Sequence, residues 1–330
     1  MKALILAGGF GTRLRPLTYT RPKLMLPIAN RPHIERGFDL LMDHGIKEVV
    51  LLTSYLPDAF KEVVKRAEAS GMSVDATVEK EPLGTAGAFK HAESLVGGDA
   101  FVAFNGDILT DLNLTEVIDW HRSKKALATI VLHEVGDPSA FGVVPTDEND
   151  RVTGFVEKPS PGRAPTNLIN AGIYVFEREV LDYIPRGEPW SAERQLFPQL
   201  VEDNADLYAV GSDAYWMDIG TPQNLLQANL DAVTGRYRAR DLEPDPEGVL
   251  IGSGASIAPD ARVARSSLGR DVVVESGAVV EESVLLPGAN VGRDATVRRS
   301  ILGARVRVAP GSAVTGATVG DDDSTAGATG

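Results

Sequence analysis

Aliphatic residues recur every seventeen positions through the C-terminal part of this 330-residue chain. Ile251, Leu268, Leu285, Leu302 and Val319 form one register, and Ile257, Val274, Val291 and Val308 a second. Val263, Val280, Val297 and Val314 form the third. Ser266, Ser283 and Ser300 keep the same step, as do the turn pairs Pro259-Asp260, Ser276-Gly277, Arg293-Asp294 and Pro310-Gly311. Three inward aliphatics per repeat, separated by six, six and five residues, describe a three-sided parallel β-helix of about four coils over residues 251–320. The charged, proline-bearing residues 236–250 read as a linker into it. Residues 321–330 are small and acidic and read as a frayed tail.

Residues 1–235 carry a different pattern. Ala3–Ala7, Glu48–Thr53 and Phe101–Phe104 are short apolar runs of buried-strand type. Between them Ile34, Phe38 and Leu41, then Phe60, Val63, Val64 and Ala67, fall at helical spacing, with Gly45 and Gly71 as stops. Ala128–Glu134 and Ile173–Phe176 are further strands. Phe141–Val144 and Arg151–Glu157 read as a hairpin around the polar turn Asp147–Asp150, and Leu225–Val233 as a last helix. This order implies an α/β, Rossmann-like domain with a mainly parallel sheet and helices on both faces. In such sheets ligands lie beyond the carboxyl ends of the strands.

At the end of the first strand stands Leu6-Ala7-Gly8-Gly9-Phe10-Gly11-Thr12-Arg13-Leu14-Arg15-Pro16, followed by Arg21-Pro22-Lys23. The glycines allow backbone N–H groups close to a ligand, as phosphate-cradling loops do. Arg13, Arg15, Arg21 and Lys23 put four cations within eleven positions, a plausible polyphosphate site. Leu14 stands where a dinucleotide fingerprint needs glycine, and the Gly-Lys-Ser/Thr of a Walker loop is absent. Pro16 and Pro22 oppose a helix running straight out of the loop. A βα turn with incidental surface cations is the other reading of these residues. Taken whole, the stretch resembles the signature loop of the sugar-1-phosphate nucleotidylyltransferases. The seventeen-residue repeat resembles the hexapeptide left-handed β-helix appended to many of those enzymes, and its handedness is implied by that resemblance. One departure is Leu24, where the family usually places a proline directly after the lysine.

Other motifs continue the resemblance. Glu81-Pro82-Leu83-Gly84-Thr85-Ala86-Gly87 is similar to the nucleotide-base segment and looks most like that of mannose-1-phosphate guanylyltransferases. Glycine there would let a purine lie against the backbone. The resemblance implies a nucleotide site of Leu6, Gly8, Gly9, Gly11, Thr12, Arg13, Lys23, Glu81, Pro82, Gly84 and Asp107, with Arg13 and Lys23 as catalytic cations. Asp107, in Asn105-Gly106-Asp107, and Asp218, before Ile219-Gly220, match the family's metal ligands and imply Mg²⁺, whose other positions phosphates and water would fill. Phe155-Val156-Glu157-Lys158-Pro159 is similar to the acceptor motif. Lys158 would hold the phosphate of a sugar 1-phosphate and Glu157 its hydroxyls, with Gly142 and Asn170 lining the sugar pocket. The implied reaction is in-line attack of that phosphate on the α-phosphorus of a nucleoside triphosphate, with pyrophosphate leaving. The favoured pair is GTP with mannose 1-phosphate. Thymidylyl, adenylyl or uridylyl transfer to glucose 1-phosphate, or to a cyclitol phosphate, remains the alternative.

Composition excludes several other classes. A net charge of −13 gives no support to nucleic-acid binding. No apolar stretch is long enough for a membrane span, and the chain has no cysteine for disulfides or thiolate metal sites. A soluble, cytoplasmic protein is expected. Hexapeptide β-helices also occur in acyltransferases that use a histidine of the β-helix. Here His33, His44, His91, His121 and His133 all precede the repeat, which leaves the β-helix a structural role and the protein an expected homo-oligomer. A non-catalytic sugar-nucleotide-binding subunit would be expected to interrupt the opening loop or an aspartate, and this chain keeps both.

Overall fold

The apolar run after Met1 becomes strand β1 (Lys2–Leu6), whose Ala3, Leu4 and Ile5 are buried. Near-continuous burial is the mark of a strand covered on both faces. The same holds for β2 (Glu48–Thr53), while β3 (Ser73–Val78) is largely exposed at the sheet edge. The other strands are β4 (Phe101–Asn105), β5 (Ala128–Glu134), β6 (Gly142–Val143), β7 (Val156–Glu157), β8 (Leu168–Phe176) and β9 (Leu207–Gly211). The computed structural model describes residues 1–325 together with 328 and 329. Among these the chain forms two compact units, residues 1–9 with 37–216 and residues 10–36 with 217–330.

The first unit is a mixed, mainly parallel sheet in the order β7-β6-β8-β4-β1-β2-β3, with β5 pairing β8 and β9. Pairs β4–β1, β1–β2, β2–β3 and β5–β9 are parallel. Strand β8 runs antiparallel to β4 and β5, and its register on β5 shifts between Asn170 and Tyr174. The expected hairpin is present: Val156 pairs with Val143, Glu157 with Gly142, and Thr146 bridges Val152. Helix α1 (His33–Asp43) buries Ile34, Phe38 and Leu41, and α2 (Lys61–Ala69) buries Val63. Helices α3 (Gly84–His91) and α4 (Leu114–Lys124) follow, the latter capped by Asn113 Oδ1, which accepts from Glu116 N–H. Phe89, Phe101, Tyr174, Phe176 and Phe197 form the aromatic heart of the core. None of the described helices is long and apolar enough to cross a membrane.

The second unit is a parallel β-helix joined by residues 10–36 and by α5 (Pro222–Val233), which packs on strand Ser266–Leu268. Proline at the first turn and Thr221 Oγ1 accepting from Asn224 N–H start α5. The linker is anchored, since Asp241 pairs with Arg31 and Arg36. The β-helix has three parallel sheets of five strands each. Leu268, Val274, Val280 and their equivalents one and two coils on, together with Val319, fill its core. Ile251 opens the first register but is 53% exposed, and Val249 takes its place inside. The structure also corrects the tail: Ser324–Thr325 pairs with Arg307–Val308, and Ala328–Thr329 with Val314–Thr315. A fifth coil therefore stands where the sequence suggested fraying. After Val319 it lacks the aliphatic signal, because Thr325 pairs with Val308 and Ala328 with Val314. The rest of the expected tail, residues 326, 327 and 330, lies outside the described residues.

The recurring serines explain themselves. Ser266 Oγ donates to Ala264 O (2.8 Å) and accepts from Ser283 N–H (3.1 Å). Ser283 Oγ does the same with Glu281 O and Ser300 N–H, and Ser300 Oγ with Arg298 O and Ala317 N–H. Each buried hydroxyl thus satisfies a backbone donor of the next coil. Ser283→Ala should cost about 1–3 kcal/mol, the usual penalty for orphaning buried polar groups. Chemical denaturation of the full chain measures it, and wild-type stability would contradict this role for the column.

Candidate active site

In the first unit the expected residues gather at the carboxyl ends of β1 and β4, on the β6–β7 hairpin and at the β8 bulge. Leu6 O accepts Gly106 N–H (3.1 Å), so the glycine loop leaves β1 beside the turn that carries Asp107. Gly8 O accepts from Ser54 Oγ (2.6 Å), and Gly9 is exposed. Asp107 is half-buried one residue beyond Gly106.

Glu81 and Pro82 are exposed, and Gly84 opens α3 with φ +72°. The structure gives this glycine a packing reason of its own. A Cβ on Gly84 would stand 2.8 Å from Trp190 O, and one on Gly87 2.9 Å from Glu188 O. Trp190 N–H donates to Leu83 O (2.8 Å), and Gly87 N–H to Trp190 O (2.9 Å). The small residues admit a second chain segment here. Glu79 Oε2 accepts Leu83 N–H (3.3 Å), and burial raises its pKa above the ordinary value.

On the hairpin, a Cβ at Gly142 would lie 2.6 Å from the Phe155 ring and 3.0 Å from Glu157 Oε2. Glycine there lets the carboxylate of Glu157 lie over the backbone. Lys158 follows with φ +49°, its N–H donating to Phe141 O (3.0 Å). Its Nζ is exposed and 3.7 Å from Glu157 Oε1. Asn170 holds the bulge: its Nδ2 donates to the Tyr174 hydroxyl (2.8 Å), and its Oδ1 accepts Gly172 N–H (2.9 Å). Burial drives the pKa of Tyr174 well above the ordinary value, so its hydroxyl stays neutral. Trp216 Nε1 donates to Ala171 O (2.9 Å), and its ring stacks on His133. Tyr174 and Trp216 were missed as shapers of this segment, because in sequence they look like ordinary core aromatics.

In the second unit, residues 10–26 form three short 3₁₀ turns and no α-helix, as Pro16 and Pro22 foretold. Gly11 has φ +59°, and its carbonyl accepts from the buried Thr18 hydroxyl (2.8 Å). Leu14, Leu17, Leu24 and Leu26 are fully buried, which leaves Thr12 and Arg13 exposed and Lys23 partly so. The four cations of the sequence do not act as one cluster. Arg15 lies over the Tyr19 ring (5.2 Å), and Arg21 is paired with Asp321. Arg13 instead reaches Gly220, to which Asp218 Oδ1 also lies close. A Cβ built on Gly220 would sit 2.5 Å from Arg13 Nη2 and 2.8 Å from Asp218 Oδ1. Asp218 Oδ1 also accepts Gly220 N–H (2.7 Å), and Asn224 Nδ2 donates to Asp218 O (2.7 Å). Gly220, quoted from the sequence only as a flank of Asp218, is the residue that lets the two groups converge.

A mainly parallel α/β sheet, a glycine loop bearing arginine and lysine, and strand-end carboxylates define a nucleotide-handling transferase. Residues 2–235 match the nucleotidyl transferase family model, and residues 247–327 the GlmU-like C-terminal hexapeptide model. The chain belongs to the nucleotidyl transferase family, with a hexapeptide left-handed β-helix as its C-terminal part. It is 39% identical over 298 residues to a mannose-1-phosphate guanylyltransferase of Mycobacterium tuberculosis, covering 84% of this chain and 82% of that protein. It is 33% identical over 320 residues to a UTP–glucose-1-phosphate uridylyltransferase of Synechocystis sp., covering 86% and 82%. Among solved structures, HddC from Yersinia pseudotuberculosis complexed with GMP-PN superposes with a TM-score of 0.60 at 30% identity, covering 69% of this chain and 97% of that one.

Gly220→Ala tests the convergence directly. The added methyl meets the mobile end of Arg13, so the thermal midpoint should stay near wild type. Displacement of the guanidinium should lower kcat/KM by about 10²-fold, as misplacements near 1 Å do. Steady-state kinetics beside a melting curve separate the two effects, and undiminished turnover would contradict the role given to Gly220.

Proposed function

We propose that the protein transfers a guanylyl group from GTP to mannose 1-phosphate, releasing pyrophosphate. The observation that carries the reading is the approach of Arg13 Nη2 and Asp218 Oδ1 to the same residue, Gly220, within the unit that also holds Lys23. It puts a cation for a polyphosphate near a carboxylate able to hold a divalent metal. The choice of base and sugar is supported by the mannose-1-phosphate guanylyltransferases among the relatives.

The phosphate of a sugar 1-phosphate is largely ionised at neutral pH, so its oxygen attacks without a general base. Catalysis is then positioning and charge neutralisation. Arg13 neutralises the β- and γ-phosphates as pyrophosphate leaves, and Lys23 the α-phosphate. Lys158 holds the nucleophile's own charge, and Glu157 accepts from sugar hydroxyls. Gly8, Gly9, Gly11 and Thr12 offer backbone donors to the triphosphate, while Glu81, Pro82 and Gly84 flank the base. Asp107 and Asp218 would hold Mg²⁺. Substrate phosphates and water would fill its other positions. When bound, Mg²⁺ would supply further neutralisation of the departing pyrophosphate. A cytoplasmic location and self-association through the β-helix belong to the same proposal, and a monomer by light scattering would remove the latter.

A pyrophosphate-release screen of four nucleoside triphosphates against a panel of sugar 1-phosphates tests the reading. GTP with mannose 1-phosphate should turn over fastest, and EDTA should abolish the signal. Asp218→Ala should lower kcat by about 10²–10³-fold, while Lys158→Ala should chiefly raise KM for the sugar phosphate. Preference for UTP and glucose 1-phosphate would favour the activity named for the Synechocystis relative. No turnover with any pair would refute the assignment.

A further inference from the structure

We propose that Asp321, on the fifth coil of the β-helix, is a positioning residue for nucleotide binding. It holds, through Arg21 and Thr20, the loop that carries Arg13 and Lys23. The inference rests on the proposed function in taking that loop as the triphosphate site.

The side chain of Asp321 is 5% exposed. Its Oδ2 accepts from the Arg21 guanidinium and from the Thr20 hydroxyl (2.7 Å). Its Oδ1 accepts from Ala304 N–H (2.8 Å), a backbone donor of the preceding coil. The carboxylate is thus oriented by the β-helix itself, and the loop docks on an acceptor already in place. Beside it the loop lies tight against the coil, since a Cβ on Gly320 would meet Pro16 Cβ at 3.1 Å. Arg21 and Lys23 are separated only by Pro22, whose ring restricts the backbone between anchor and ligand. A guanidinium that the sequence offered to a polyphosphate is therefore committed to the protein's own C-terminal coil.

Charge makes the anchor specific. Arg21 is itself only 22% exposed, so removing the carboxylate leaves a cation with little access to water. The adjacent Asp322 provides an internal comparison. It pairs with Arg305 along the coil, both groups are exposed, and no bond of this pair reaches residues 10–36.

The experiment uses the full chain, with GTP and Mg²⁺ as probe. Calorimetry measures GTP binding without sugar phosphate, and steady-state kinetics supply both KM values and kcat. Asp321→Asn preserves shape and should weaken GTP binding and raise its KM about tenfold, the scale of a small ligand misplacement. KM for the sugar phosphate should stay unchanged, and Asp322→Asn should bind GTP as wild type does. Hydrogen exchange across residues 11–26 should quicken in Asp321→Asn before any ligand is added. Arg21→Gln should reproduce the loss, and Arg21→Gln combined with Asp321→Asn should be no worse than either alone, because one interaction is removed only once. Wild-type GTP affinity in Asp321→Asn, or additive losses in the double variant, would overturn the inference and leave the proposed function standing. Failure of the wild-type protein itself to bind any nucleoside triphosphate would overturn both.

Discussion

Between Phe10 and Pro32 the backbone forms three 3₁₀ turns and one two-residue hairpin, Pro27–Ile28 with Arg31–Pro32. Such turns make few hydrogen bonds of their own, so this segment takes its shape from what surrounds it. Within its unit, the buried leucines supply the apolar part of that support. Directed bonds supply the rest. Asn30 Nδ2 donates to Leu268 O, Asn229 accepts from Ala29 N–H, Asp321 takes Arg21 from the middle of the segment and Asp241 takes Arg31 from its end. Buried ion pairs add little net stability once desolvation is counted, but they discriminate strongly between registers. Under the proposed function, a loop presenting two cations to a charged ligand benefits more from register than from raw stability.

The sheet-bearing unit solves a related problem by close approach. Side chains that would fill space are absent at Gly84 and Gly142, and Trp190, Phe155 and Glu157 occupy the vacated volume. The polar groups nearby are tied to one another: Asn170 to Tyr174 and Gly172, Trp216 to Ala171. The segment proposed to take the sugar phosphate is therefore already tied in place by the protein's own bonds, as positioning catalysis requires.

Much of this was legible in the sequence because it is written as periodicity. The seventeen-residue registers place Leu268, Leu285 and Leu302 in the β-helix core, and the apolar runs at Ala3–Ala7 and Glu48–Thr53 become the central strands. Local chemistry was legible too, as Pro16 and Pro22 keep the loop free of helix. Hidden were features that depend on volume or on distant partners. After Val319 the fifth coil has threonine and alanine beside the valines of the coil before it, so this part of it carries no hydrophobic signal. The packing of Gly84 against Trp190, more than a hundred residues away, leaves no mark in the motif. Arg21 looks like one of four equal cations because its carboxylate lies 300 positions along the chain. No motif encodes such a pairing.

The serine column gives the β-helix a direction. Every hydroxyl donates backward within its own coil and accepts forward from the next, so the coils are not interchangeable end for end. The series stops at Ala317, whose N–H donates to Ser300 Oγ but whose side chain offers nothing onward. The relay is thereby interrupted by a serine-to-alanine change. Growth of such a domain by duplication has a natural insertion point, since a unit placed between Ser266 and Ser300 inherits both halves of the relay. A unit added after Ala317 inherits neither.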